Sequence, residues 1–172
     1  MCEDLEFFGH DFEIESEKQK QRRLHLDRQY EKYSRLGIKG IKGITPIWAT
    51  DDLIFQNMMN SPSPWNNLIH VKVSTNDLVK LIDFGELNPS TLFSNDRASN
   101  MRFVTTLDLW EKAQPVDPPT VSPENVNGEF RIGISDGRHR TILAYHIGAD
   151  CIPICFNKYH EKTILALVRQ CN

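Results

Sequence analysis

The sequence has no long apolar run and little excess of charge of one sign. Its apolar stretches fall far short of the roughly 20 residues that span a bilayer, and acidic residues follow closely on the N-terminus. Its 172 residues include 20 Lys and Arg against 23 Asp and Glu, a net charge of −3. We therefore expect a cytoplasmic protein with no transmembrane helix and no signal peptide, and we exclude a histone-like polycation.

Cysteine is scarce and is not spaced as in a metal site. The four cysteines stand at positions 2, 151, 155 and 171, with no Cys-x-x-Cys pair. Structural zinc ligands usually come in such pairs, so the spacing indicates no zinc framework. Because cytosolic thiols are kept reduced, we expect free cysteines, with Cys151 and Cys155 as small core residues rather than a redox or metal pair.

The charge distribution separates an N-terminal segment from the rest of the chain. A chain of 172 residues is long enough for one domain and short for two. Residues 18–35 are rich in charge and contain no Pro or Gly, which predicts a helix packed along one edge of the domain. We divide the chain into a charged helical segment, 1–36, and a domain, 37–172. Acids outnumber bases in the first segment, which excludes a uniformly basic arm.

Hydrophobic periodicity in the second half predicts an α/β fold. Alternating residues indicate strands at 69–73 and 129–135, and a further strand is predicted at 151–156. Helical spacing or end signals predict a short helix capped by Ser74 or Thr75, a helix over 142–147 stopped by Gly148, and a helix within 160–170. The unit from 129 to 156 is compatible with a parallel crossover.

Other segments carry weaker signals. Residues 37–46 read as a glycine-rich strand or loop, 51–59 as a short helix, and 61–64 as a turn. Residues 83–112 are ambiguous. Four prolines, at 115, 118, 119 and 123, confine an extended segment around 116–121 to a sheet edge or a loop.

A basic cluster begins the helix that follows the strand at 129–135. Arg138, His139 and Arg140 stand in its first turn, directly after Asp136 and Gly137. The N-terminus of a helix already carries about half a positive charge, and acids usually stand there. A bound anion would compensate, because free amides, a glycine and two guanidinium groups then converge on it. The pattern predicts a phosphate site.

A purely structural interpretation also fits these residues. Asp136 can cap the helix, Gly137 can make the turn, and the arginines can pair with surface acids. His139 alone is more often a structural residue than a ligand. No Ser-His-Asp or Cys-His arrangement follows from the sequence, because partners elsewhere in the chain cannot be placed without a fold.

Residues 128–156 resemble the core of the ParB/sulfiredoxin-like superfamily, and in particular plasmid fertility-inhibition factors. The shared features are a Gly-Arg-His-Arg turn between a strand and a helix, then Gly-Ala and an Ile-Pro-Ile strand. The resemblance implies a single domain with a mixed sheet and flanking helices.

The functional residues of the superfamily can be compared with this sequence position by position. Gly137, His139 and Arg140 match the sulfiredoxin turn, but Arg138 replaces its catalytic cysteine, which excludes sulfinic acid reduction. ParB proteins bind CTP at this turn, where Arg138 here replaces a glutamate. Free-serine kinases contact ATP phosphates through a turn similar to Asp136–Arg140. The resemblance therefore implies a nucleotide phosphate at this turn.

The leading functional hypothesis is a nucleotide-binding protein. Its phosphate-binding residues are Gly137, Arg138, His139, Arg140 and Thr141. Asp136 and His139 are the candidate catalytic residues, Asp136 also as a Mg²⁺ ligand, with ATP or another nucleotide as the ligand. The resemblance implies hydrolysis of ATP or DNA phosphodiesters and inhibition of plasmid conjugation or secretion.

The alternative is a non-enzymatic immunity or inhibitor protein. Its partner would be a toxin or a secretion component, and the acidic N-terminal segment suits a basic one. Sequence-specific DNA binding has the least support, because the net charge is −3 and no helix-turn-helix is recognisable.

Overall fold

The structure is a computed structural model that describes residues 4–50, 67–93 and 96–171. Its first element is helix α1, Asp4–Ile41. Gly37 interrupts this helix with a φ of 57°, a left-handed conformation that glycine adopts without strain. The helix then resumes as far as Ile41, which corrects the expected strand or loop directly after Gly37. Tyr33 and Ile41 are fully buried, so the inner face of α1 is part of the core.

In the described residues, four strands form one mixed sheet in the order β1-β4-β2-β3. Strands β1 and β4 pair antiparallel along their whole length, and β2 and β3 form an antiparallel hairpin. Strand β2 meets β4 in parallel at Thr120 and Cys155. The mixed α/β fold class is confirmed. The strands are β1, Leu68–Ser74, β2, Thr120–Val126, β3, Glu129–Asp136, and β4, Cys151–Asn157.

The helices flank this sheet. The Ser74 hydroxyl caps α2 by accepting a hydrogen bond from the Asp77 amide at 3.3 Å, as predicted. Gly148, with a φ of 90°, ends α4, also as predicted. A short 3₁₀ turn precedes the last helix. The helices after α1 are α2, Thr75–Leu81, α3, Arg97–Glu111, α4, Arg138–Ile147, and α5, Glu161–Leu167.

The connection from β3 through α4 to β4 is not a parallel crossover, contrary to one expectation. Strand β2 lies between β3 and β4, antiparallel to the first and parallel to the second. Strands β3 and β4 therefore run in opposite directions.

Strand β2 is an inner strand, although its proline predicted an edge or a loop. Its ladder to β4 consists of the Thr120–Cys155 pair, while its ladder to β3 continues to Val126. Pro123 therefore lies where β2 has β3 as its ladder partner, and a missing N–H is tolerated there.

Cys151 and Cys171 form a disulfide, which corrects the expectation that all the thiols are free. It fixes the C-terminal residues beside β1, where the Cys171 amide donates to the Lys72 carbonyl at 2.9 Å. Cys155 is free and buried, as expected. Burial, and then the charge of Asp117, raise the pKa of Cys155 to about 12. Cys2 lies outside the described residues.

Helix α3 occupies the second half of residues 83–112, the stretch whose structure the sequence left ambiguous. Phe103, Val104, Leu107 and Trp110 bury one of its faces, and the Trp110 indole donates to the Ile47 carbonyl at 2.9 Å. Its N-terminus lies beside the N-terminus of α4, and this juxtaposition forms the site. The predicted helix at 51–59 and turn at 61–64 lie outside the described residues. None of the described helices combines the length and apolar character needed to cross a membrane.

Candidate anion-binding site

The start of α4 opens onto a cavity of about 820 Å³. Its N-cap is Gly137, with a φ of 92°, and no side chain caps the helix. A Cβ at this position would lie 2.8 Å from the Cα of Pro119, so both conformation and space require glycine. The first amide groups of a helix have no acceptor within it. They are therefore available to an acceptor in the cavity.

The cavity walls come from three segments of the chain: 84–87, the first turns of α3, and 135–139. Asp96 caps α3 by accepting a hydrogen bond from the Ala98 amide at 2.9 Å. The N-termini of α3 and α4 both line the cavity. Since the Asp96 carboxylate already caps α3, it is the positive end of α4, which has no side-chain cap, that favours a bound anion.

The two arginines of the predicted turn, Arg138 and Arg140, line different cavities, which corrects the expectation that they converge. Residues two apart on a helix do not face each other. Arg138 is exposed in the large cavity and forms no ion pair with a described residue. Arg140 is ion-paired to Asp136 and lines a second cavity of about 520 Å³.

Arg102 of α3 supplies the second guanidinium group of the large cavity. It lines both cavities and, like Arg138, its side chain is exposed. The two arginines that line the large cavity are therefore Arg102 and Arg138, from two helices, rather than Arg138 and Arg140 from one.

His139 is held between the two helices. Its Nε2 is hydrogen-bonded to Ser99 Oγ at 2.8 Å, and its ring packs edge-on against Phe103, with centroids 5.0 Å apart. Burial, and then the positive charge of Arg102, lower the pKa of His139 to about 4. The imidazole is therefore neutral at neutral pH, able to donate a hydrogen bond or to accept a proton.

Asp136 does not cap α4, because the N-cap is Gly137. Its carboxylate accepts a hydrogen bond from Arg140, and its side chain is 70% exposed. Within the residues that the structure describes, no group of three or more His, Cys, Asp or Glu is arranged to hold a metal ion. The role of Asp136 as a Mg²⁺ ligand stays a prediction.

Thr141 lies behind the site. It is fully buried, and its hydroxyl donates to the Gly137 carbonyl at 3.1 Å. This hydroxyl stabilises the first turn of α4 from inside the protein and does not reach the cavity surface.

The large cavity has mixed charge. Glu86, Asp96 and Asp136 line it together with Arg102 and Arg138. A ligand that combines an anionic group with hydrogen-bond donors is therefore better matched to the walls than a bare anion.

Ser99 and Arg102 were not identified as site residues from the sequence. A helical signal was present in the spacing of Phe103, Val104, Leu107 and Trp110, with Asp96 as a possible cap. The contact between Ser99 and His139 spans 40 residues of sequence and has no local signature.

Comparison with known proteins gives a structural likeness but no family. No protein-family model matches the chain, and no curated protein matches it. Among solved structures, the chain is similar to the gold(I) cyanide derivative of an oncogenic suppression activity protein, described as a plasmid fertility inhibition factor. The identity is 16%, the TM-score is 0.43, and the match covers 60% of this chain.

The match also covers 57% of the solved chain, so this protein matches little more than half the length of its structural neighbour. A likeness of this size concerns part of the fold and not the chemistry of the site.

Proposed function

We propose that this protein binds a nucleotide, with the phosphates held by Arg102, Arg138 and the first amides of α4. The observation that carries the proposal is the uncapped start of α4, beside an arginine with no ion-pair partner among the described residues, in one cavity. Arginine and helix amides together form strong, charge-assisted hydrogen bonds to phosphate oxygens.

The size and lining of the cavity support a nucleotide over inorganic phosphate. A volume of about 820 Å³ lies within the usual range for small-molecule sites. The carboxylate of Glu86 can accept hydrogen bonds from ribose hydroxyls or a base amino group, while the arginines hold the phosphates.

Isothermal titration of ATP, CTP and GTP, with and without Mg²⁺, tests the proposal. The Arg138→Ala variant should bind the preferred nucleotide about 10- to 100-fold more weakly, because a hydrogen bond to a charged group contributes about 1.5–3 kcal/mol. The matched control is Arg131→Ala, which removes the same charge from an exposed position on β3 that does not line the cavity. Equal losses in both variants, or no binding by the wild type, would contradict the proposal.

The contribution of Asp136 to Mg²⁺ binding is a finer part of the proposal. If Asp136 helps to hold a nucleotide-bound Mg²⁺, Asp136→Asn should remove the gain in affinity that Mg²⁺ provides. Binding measured without Mg²⁺ should then persist. The same titrations measure both quantities.

A role as an inhibitor of plasmid conjugation is proposed from the sequence of residues 128–156, whose Gly-Arg-His-Arg turn is similar to that of fertility-inhibition factors. Expression of the wild type should lower the frequency of plasmid transfer between cells, and Arg138→Ala should restore it. Inhibition that persists in the variant would favour the non-enzymatic, partner-binding alternative.

A further inference from the structure

Ser99 and His139 form a hydrogen-bonded pair at the wall of the large cavity. Ser99 Oγ lies 2.8 Å from His139 Nε2, and both residues line the cavity. A serine hydroxyl becomes a nucleophile when an adjacent base takes its proton. Ser135 also lines the cavity, but its hydroxyl donates to the Thr120 carbonyl at 3.2 Å, so the two cavity serines differ in their partners.

The pair stands where the electrostatics favour negative charge on oxygen. Ser99 is the third residue of α3, and His139 is the second residue of α4. Arg102 and Arg138 line the same cavity, and the positive end of α4 opens onto it, so negative charge on phosphoryl oxygens in the cavity is stabilised. The edge-on contact with Phe103 limits rotation of the imidazole.

We propose that Ser99 is a nucleophile that accepts the terminal phosphoryl group of the bound nucleotide, with His139 as its base. This inference rests on the proposed function, because it requires a phosphate in the same cavity. It adds a covalent phosphoserine intermediate and assigns the reaction to a residue outside the sequence motif.

The reaction balances with water as the co-reactant. Ser99 Oγ forms a bond to the terminal phosphorus while the bond from phosphorus to the leaving oxygen breaks, and the electron pair of that bond stays on the leaving oxygen. The Ser99 proton passes to His139 Nε2 and then to the leaving group. Water next attacks the phosphoserine, His139 takes a proton from the water, and the Oγ–P bond breaks. Ser99 regains its proton, and the products are nucleoside diphosphate and phosphate.

The protonation state of His139 is consistent with this role. A neutral imidazole can accept the serine proton, and burial and the nearby arginines keep it neutral by lowering its pKa. A bound phosphate would partly neutralise Arg102 and Arg138. The imidazole would then be a stronger base when the substrate is present than when it is absent.

Acid quenching of the full chain with ATP labelled at the γ-phosphate tests the inference. Mass spectrometry should find the phosphoryl group on Ser99. The Ser99→Ala variant should bind ATP with an affinity within about 3-fold of the wild type, yet lose both the label and phosphate release. His139→Gln should bind ATP and form the label about 100-fold more slowly or worse, the usual scale for loss of a general base.

The control variant is Ser135→Ala, which removes a cavity hydroxyl with a different partner and should be labelled like the wild type. ATP binding without any label, or phosphate release that survives in Ser99→Ala, overturns the inference and leaves the proposed function intact. Failure of the wild type to bind ATP, CTP and GTP overturns both. Circular dichroism of Ser99→Ala and His139→Gln verifies that each variant is folded.

Discussion

At the scale of single residues, Gly137 determines how α4 begins. Its φ of 92° is unfavourable for any residue with a Cβ, and a Cβ would lie 2.8 Å from the Pro119 backbone. The Gly137→Ala variant should therefore lose stability through both strain and overlap. Gly148→Ala is the matched control, with a φ of 90° and no atom within 4 Å of the added Cβ.

In urea unfolding, Gly148→Ala should cost about 1–2 kcal/mol from the left-handed conformation alone. Gly137→Ala should cost about 1–3 kcal/mol more, the usual penalty for overpacking. Equal costs would show that the Pro119 backbone does not restrict position 137.

His139 makes a second prediction at this scale, on the pH dependence of stability. Its pKa is about 4 in the folded protein and 6.5 without perturbation. As the pH falls from 6.5 toward 4, the unfolded chain binds a proton that the folded protein does not. This group therefore lowers the free energy of unfolding as the solution becomes more acidic.

Urea unfolding of the wild type and of His139→Gln, at several pH values from about 7.5 to about 4, isolates the contribution of His139 to stability. His139 changes its protonation state within this pH range in the unfolded or the folded chain. The stability advantage of the wild type over the variant should shrink as the pH falls. A difference that stays constant with pH would contradict a depressed pKa for His139.

At the scale of elements, the disulfide holds the C-terminal residues against β1. Cys151 and Cys171 are separated by 20 residues, and closing a loop of that size contributes about 3 kcal/mol. Thermal unfolding of Cys171→Ser should show a loss of about that size relative to the oxidised wild type. A reductant should lower the melting temperature of the wild type and leave that of Cys171→Ser unchanged.

The attachment of α1 should depend on its buried face rather than on its ion pairs. Tyr33 is fully buried, whereas the Arg97–Asp27 ion pair between α3 and α1 has an exposed arginine, at 63%. In urea unfolding, Tyr33→Ala should cost about 3–5 kcal/mol, and Arg97→Ala less than about 1 kcal/mol. Similar costs would indicate that charge pairing holds this helix.

The elements that the sequence predicted correctly are those with a local signal. Alternation identified β1 and β3, and Ser74 and Gly148 marked helix ends as expected. The disulfide and the inner position of β2 depend on how distant segments pack. Neither feature produces a local pattern in the sequence. The charged turn at the start of α4 can be located from the sequence, whereas Ser99 and Arg102, which line the same cavity, come from another helix and have no local signature.

At the scale of the whole molecule, a net charge of −3 does not attract an anion, so binding must depend on local positive charge. In the large cavity, Arg102, Arg138 and the start of α4 supply that charge beside the carboxylates of Glu86, Asp96 and Asp136. Nucleotide affinity should fall as salt rises, because the guanidinium groups are exposed and screened over about 10 Å at 0.1 M ionic strength. Titration calorimetry at several salt concentrations measures this dependence, and a flat response would argue against the arginines.

The most direct test of the account is an NMR titration of the ¹⁵N-labelled protein with ATP. The amides of Ser99, Arg138 and His139 should shift and saturate together. Those of Asn127 and Gly128, in the turn between β2 and β3, should stay unchanged. Saturable shifts confined to other parts of the chain, or no shifts with any nucleotide, would contradict a phosphate site between α3 and α4.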